Sequence, residues 1–196
     1  SYARCQPADR GAPNQPLFNR STLTQPGQPS RDADACGDLP YLTHDKQFLS
    51  ATAAAGGTWN VVYTVTVANI GPVSGVYTLT DQPSFDDDIT INSASFTADV
   101  PSSNPALGTT TPWTLGSNVN LGAGARHVYT LTVNVSLDLA GGGGDNSYAR
   151  CQPADPGAPN QALFNRSTLT QPGQPSRDAD ACGDLPFLTH TKRFLS

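Results

Sequence analysis

Methionine is absent from these 196 residues and charge is scarce: 14% of the residues are charged, and the net charge is -5. Nothing resembles the clustered Lys and Arg that nucleic acid requires, so nucleic acid is not an expected partner. Charge is also too sparse to hold the chain unfolded by self-repulsion. No apolar run approaches the roughly 20 residues that cross a bilayer, so no membrane-spanning segment is expected. Residue 1 is not a Met followed by a basic and then apolar leader, and any export signal or surface anchor is expected outside these residues. Of the three histidines, His44 and His190 occupy one repeated position, which leaves a single unit with that His and His127. There is no G-x-S-x-G or H-E-x-x-H, and Gly141 to Gly144 lacks the Lys-Ser/Thr of a phosphate loop. With no nucleophile and base to assemble, the chain is expected to be no enzyme, with no cofactor and no metal centre.

What the chain does contain is a copy of itself. Ser1 to Ser50 returns as Ser147 to Ser196 at an offset of 146, with changes only at Arg10/Pro156, Pro16/Ala162, Tyr41/Phe187, Asp45/Thr191 and Gln47/Arg193. Solenoid repeats run about 20 to 50 residues, whereas this period is the size of a self-sufficient domain. Each unit is expected to own a core, and the chain reads as a piece of a tandem array.

The four cysteines fall as one pair per copy, Cys5 with Cys36 and Cys151 with Cys182. Neither pair has C-x-x-C spacing, so a disulfide within each copy is the simplest use, which implies an oxidising, extracellular compartment. Closing such a loop stabilises by roughly 3 kcal/mol.

Between the copies, Trp59 to Asn69 alternates: Trp59, Val61, Tyr63, Val65 and Val67 on one face, Asn60, Thr64 and Thr66 on the other. That is the period of a half-buried strand. Val76 to Asp81, Ile89 to Phe96 and His127 to Leu137 read alike, separated by Ile70-Gly71-Pro72, Gln82-Pro83 and Gly122-Ala123-Gly124. No sustained helical period is present. Many short strands with turns between them predict an all-β, antiparallel, Ig-like sandwich in tandem repeats. Tyr41 to Ser50 reads as a first strand followed by a small-residue loop, Ala51 to Gly57, and Ala162 to Thr170 as a late one. One complete domain is thus expected over 41–186, with 1–40 the closing part of a preceding unit and 187–196 the first strand of the next. A permuted register over 1–146 fits the same period.

Three polar residues fall on apolar faces. Lys46 shares a face with Leu42 and Phe48, Asp81 with Tyr77 and Leu79, and Asn165 with Leu163 and Leu169. Burial lowers the pKa of a lysine and raises that of an aspartate, leaving a neutral amine beside a protonated acid. An Asn carboxamide placed between them is open to attack by the amine, giving a Lys-Asn isopeptide bond and ammonia. The plainer uses are a snorkelling Lys, a turn-capping Asp81 and an Asn165 that satisfies backbone groups at a bend.

The segments H-D-K-Q-F-L, Y-T-V-T-V-A-N-I-G, Y-T-L-T-D, L-G-A-G-A-R-H-V-Y-T-L-T-V and L-F-N-R-S-T-L-T together resemble the "conserved repeat domain" of bacterial surface proteins, which is related to the Cna B-type stalk domains of adhesins and pili. The resemblance spans nearly the whole period. It implies an internal isopeptide bond in which Lys46 supplies the amine, Asp81 the acid and Asn165 the acceptor. The insert that holds the cysteine pair is not part of the minimal stalk domain.

Weaker signals remain. Asn19, Asn134 and Asn165 each open an N-x-S sequence. Asp86-Asp87-Asp88 offers carboxylates to calcium, although a solvated turn is the simpler expectation. Outward threonines (Thr64, Thr66, Thr78, Thr80, Thr130, Thr132) suit the wet face of a sheet, and ordered water or ice is the sharper reading. The expected function is structural: a segment of an extracellular fibre or cell-surface stalk whose partners are neighbouring copies of the repeat, including strand complementation between chains. The alternative is an adhesin module that recognises a host protein or glycan through its loops, with Trp113 as its candidate aromatic. A core Trp is the simpler use.

Overall fold

The computed structural model describes residues 17–100, 106–140, 147–151, 161–186 and 192–193. Among them are the strands β1 (Leu17–Leu23), β2 (Arg31–Gly37), β3 (Leu42–Ala54), β4 (Thr58–Asn69), β5 (Gly75–Pro83), β6 (Ile89–Ala98), β7 (Ala106–Leu107), β8 (Trp113–Leu121), β9 (Arg126–Leu137), β10 (Asn165–Thr170) and β11 (Arg177–Ala181). β3 to β11 form two antiparallel sheets, ordered β3-β4-β9-β6-β7 and β11-β10-β5-β8, which pack as the expected all-β sandwich. β1 and β2 pair with each other in a separate two-stranded sheet. No helix among the described residues is long and apolar enough to cross a membrane.

Alternation decides which face each strand buries. Val61, Tyr63, Val65 and Val67 of β4, and Tyr129, Leu131, Val133 and Val135 of β9, have no exposed surface. They meet Tyr77 and Leu79 of β5 and Leu115 and Leu121 of β8 in one core. Complete burial of each such aliphatic side chain is worth about 1.5–3 kcal/mol. The opposite face of the five-stranded sheet carries polar, mostly uncharged rows, such as Gln47, Thr64, Thr130 and Thr97 across four strands. The threonines expected to point outward are half-buried and do so.

Several boundaries differ from expectation. β3 continues through Ala54 instead of yielding to a loop at Ala51, because a register shift between Phe48 and Ser50 keeps it paired with β4 as far as Thr58. The turn that follows is confined to 55–57, where Gly56 takes φ 75°. β10 begins at Asn165, since Ala162 adopts φ 37° and Ala162 to Phe164 form a buried turn. β8 shows little alternation because its register against β5 shifts twice and Asn118 has φ 52°. At its centre a Cβ on Gly116 would sit 2.9 Å from the Tyr129 hydroxyl, so that crossing requires glycine. Trp113 is 3% exposed, and its indole N–H donates to the Gly108 carbonyl at 2.7 Å. It is a core residue.

A buried asparagine fixes one end of the sandwich. The Asn69 carboxamide donates to the carbonyls of Val73 (2.8 Å), Leu121 (3.1 Å) and Gly122 (3.1 Å) and accepts from the Gly71 N–H (3.0 Å). It thereby ties the β4–β5 and β8–β9 connections together. Along its side, β3 is stitched to the opposite sheet. His44 Nε2 lies 3.2 Å from the Ser167 carbonyl, and the Arg177 guanidinium donates to the Leu42 carbonyl.

Candidate functional site

β3, β5 and β10 each bring one polar side chain into this core. Lys46, on the edge strand of the five-stranded sheet, points across the sandwich and donates to Asp81 Oδ2 on β5. Both side chains are fully buried. The Lys46 ammonium also lies 5.2 Å from the centre of the Tyr63 ring, whose hydroxyl donates to the Leu163 carbonyl at 2.5 Å. β10 pairs with β5 so that Ser167 stands opposite Asp81 and Asn165 opposite Pro83. Directly opposed residues share a face, which makes Asn165 the diagonal neighbour of Asp81 on the inner side. Asn165 and Asp81 are both 0% exposed.

The electrostatics push the pair toward neutrality. Burial lowers the Lys46 pKa, with the Asp81 charge opposing that shift. Burial likewise raises the Asp81 pKa, against the opposing pulls of Lys46 and of the neighbouring Asn165 carboxamide. A neutral amine is a nucleophile and a protonated carboxyl is a donor.

The polar accounting is incomplete beside this pair. Asp81 Oδ1, Asn165 Oδ1 and Asn165 Nδ2 are buried with no partner of full hydrogen-bond geometry, although Asn165 is close enough to Asp81 to act on its carboxyl. Each such orphaned atom costs about 1–3 kcal/mol. Asn69 is the contrast: similarly buried, it makes four hydrogen bonds. Asn165 is the buried asparagine whose amide fastens no backbone.

A disulfide joins Cys151 to Cys182, with Cα atoms 5.8 Å apart. It tethers the turn bearing Tyr148, itself 5% exposed in the core, to the end of β11. The next residue, Gly183, packs so tightly on Phe48 that any Cβ there would overlap the ring. Cys36 is also disulfide-bonded; Cys5, its expected partner, lies outside the described residues, as does His190.

One other expectation changes. Asp86 and Asp88 are 2% and 0% exposed, so of the expected solvated turn only Asp87 faces solvent. The Asp86 side chain accepts from the Asp88 N–H (3.1 Å), and the Asp88 carbonyl from the Asp138 N–H (2.8 Å), which draws the segment inward beneath β9. The three carboxylates have ligand atoms within 4.8 Å of one another. Asn134 is on the wet face, where its amide donates to Asn60 Oδ1 at 2.8 Å and Thr58 Oγ1 at 3.2 Å. Sequence reasoning overlooked Tyr63 as a wall of the site. Its signal was a place in the β4 alternation beside Val65, the residue paired with Lys46.

No family model and no curated protein matches the chain. Among solved structures, it is similar to a GH20 exo-β-N-acetylglucosaminidase from Vibrio harveyi in complex with N-acetylglucosamine (16% identity, 78% of this chain and 19% of that one, TM-score 0.29). A structural-genomics target matches at 10% identity over 80% of this chain and 95% of its own, with TM-score 0.30. BcpA, the major pilin subunit of Bacillus cereus, matches at 9% identity over 83% of this chain and 46% of its own, with TM-score 0.28. The chain thus spans about a fifth of the glycosidase and under half of the pilin. Scores of this size leave the fold to be defined by the sheets themselves.

Proposed function

We propose that this chain is a tension-carrying segment of an extracellular repetitive fibre or cell-surface stalk, and that its sandwich is sealed by an isopeptide bond between Lys46 and Asn165. The observation that carries the reading is the buried Lys46–Asp81 contact beside an asparagine whose amide has no other task. The neutral Lys46 Nζ attacks Asn165 Cγ while the protonated Asp81 carboxyl donates to the carboxamide oxygen. A C–N bond forms, the Cγ–Nδ2 bond breaks, and the proton lost by the amine leaves with the departing NH3 by way of Asp81. The acid is unchanged at the end, and no oxidant is needed.

Such a bond suits a mechanical part. It joins β3, at the edge of one sheet, to β10 in the other, so tension entering at the start of the domain and leaving near its end passes through a covalent link. The strands between them are shielded from the load. The Cys151–Cys182 disulfide closes the remaining segment. In this reading the repeating unit is 41–186, and the stalk is extended by adding such units. Recognition through loops has less support, because Trp113, the aromatic on which it would rest, is in the core.

The test is the intact mass of the reduced protein. One ammonia fewer than the sequence requires is expected for the native chain, and the full sequence mass for Lys46→Ala and Asn165→Ala. A native chain at its full sequence mass refutes the bond.

A further inference from the structure

The β1–β2 hairpin and the β10–β11 hairpin have the same sequence but different surroundings. Asn19 faces Ala35 as Asn165 faces Ala181. Arg20 Nε donates to Asp34 at 2.7 Å as Arg166 does to Asp180 at 2.7 Å. Thr22 donates to Asp32 at 2.7 Å and Thr168 to Asp178 at 2.7 Å, while Ser21 and Ser167 each reach a partner carbonyl at 3.3 Å. From Asn19 to Leu23 and from Asn165 to Leu169 the hairpin is paired alike whether or not it is docked; only the end before the asparagine differs, where β1 is already paired at Leu17 and Phe18 and the docked copy turns, so docking rearranges that end alone.

What differs is the face. In the second hairpin the face formed by Leu163, Asn165, Ser167 and Leu169 is at most 2% exposed, turned into the core by the pairing of β10 with β5. In β1 the same face, Leu17, Asn19, Ser21 and Leu23, lies open, with Leu17 at 51% and Leu23 at 68%. The molecule thus displays in its own second hairpin what covers the first.

We propose that β1–β2 is a docking element for the β3–β9 body of a second copy. It pairs with that copy's β5 in the register of β10 and places Asn19 against that copy's Lys46 and Asp81. Docking stands on the duplicated geometry alone. The covalent step, attack of Lys46 Nζ on Asn19 Cγ with release of NH3, rests on the isopeptide reading above. Within one chain β5 is already flanked by β10 and β8, and a tethered hairpin has an effective concentration in the millimolar range. The second copy is therefore captured when its own β10–β11 is weakened or absent.

The full chain provides the test. In Leu163→Ala/Leu169→Ala the internal hairpin loses its apolar anchors while Leu17 and Leu23 keep theirs. Light scattering after size exclusion should then report dimers and larger species, and adding Leu17→Ala/Leu23→Ala should restore the monomer. A folded monomer before that addition, or oligomers that survive it, overturns the docking. Should the first variant fail to fold, the milder Leu169→Ala, which still weakens the internal hairpin, combined with Thr22→Cys/Thr80→Cys reads the same contact, because Thr168, the counterpart of Thr22, pairs with Thr80. Peptide mapping should find the two introduced thiols joined in a disulfide between chains, and its absence, or its formation only within one chain, overturns the proposal. Adding Asn165→Ala to the Leu163→Ala/Leu169→Ala chain separates the chemistry. Oligomers resistant to detergent and reductant, abolished by Asn19→Ala, are expected. Dimers without such covalent species refute the bond and leave the docking standing.

Discussion

Replacing Asn165 with alanine removes the acceptor of the proposed bond and no well-formed hydrogen bond, since neither polar atom of its carboxamide has a partner of full geometry. The loss can be sized from the loop it opens. Lys46 and Asn165 are 119 residues apart in sequence, and a cross-link closing a loop of that length disfavours the unfolded chain by about 5 kcal/mol. Trimming a buried side chain to alanine adds about 1 kcal/mol in a typical site. For a domain of this size each kcal/mol moves the midpoint by about 2–4 °C, so Asn165→Ala should melt roughly 12–24 °C below the native protein in calorimetry. Lys46→Ala should lose the same cross-link and also leave Asp81 as a lone buried acid, so it should melt no higher. Asp81→Asn keeps the shape but removes the acid, and the refolded protein should recover the ammonia loss slowly or not at all. An Asn165→Ala protein that melts within a few degrees of the native chain refutes the reasoning, as does one whose mass shows the ammonia still lost.

Burial holds the His44 pKa below its ordinary value of 6.5. The folded state therefore binds fewer protons than the unfolded one below about 6.5, and stability is lost as the pH falls through that value. His127 is shifted in the same direction by its burial, so the midpoint of urea unfolding should fall between pH 7 and 5, and His44→Gln should reduce but not abolish that fall. Asn69→Ala leaves three carbonyls and one N–H without their partner; at about 1 kcal/mol each the cost should be about 4 kcal/mol by urea denaturation, and a loss below about 1 kcal/mol refutes the lock. Reducing the Cys151–Cys182 disulfide, which spans 31 residues, should cost about 3–4 kcal/mol, read as a lower midpoint in reductant.

Strands whose one face is dry and other wet were legible from alternation alone, and β4 and β9 follow it residue by residue. The same signal placed Lys46, Asp81 and Asn165 on inward faces, because a period of two leaves no freedom about where they point. Elements shaped by irregularity were not legible. β8 carries two register shifts and a left-handed Asn118, which scramble its pattern, and β11 is a short edge strand of mostly half-buried residues. Asp86 and Asp88 misled for another reason: three adjacent carboxylates look like surface, and only the backbone path that tucks these two beneath β9, leaving Asp87 exposed, buries them. Nor does spacing distinguish Asn69 from Asn165. Both are asparagines on dry faces, and only the three-dimensional set of neighbours separates a fastener from an amide that ties nothing down.

The distance along the chain between β9 and the hairpin that completes its domain sets a timetable for synthesis. β9 ends at Leu137 and β11 at Ala181, so a ribosome adding about 5–20 residues per second leaves the β5 edge uncovered for about 2–9 s. A hairpin closes in about 1–10 μs, so each new copy is shaped long before it is needed. In the proposed array, correct pairing among near-identical copies then depends on order of arrival: a hairpin that emerges first meets the body made just before it, and is already engaged when the next edge opens.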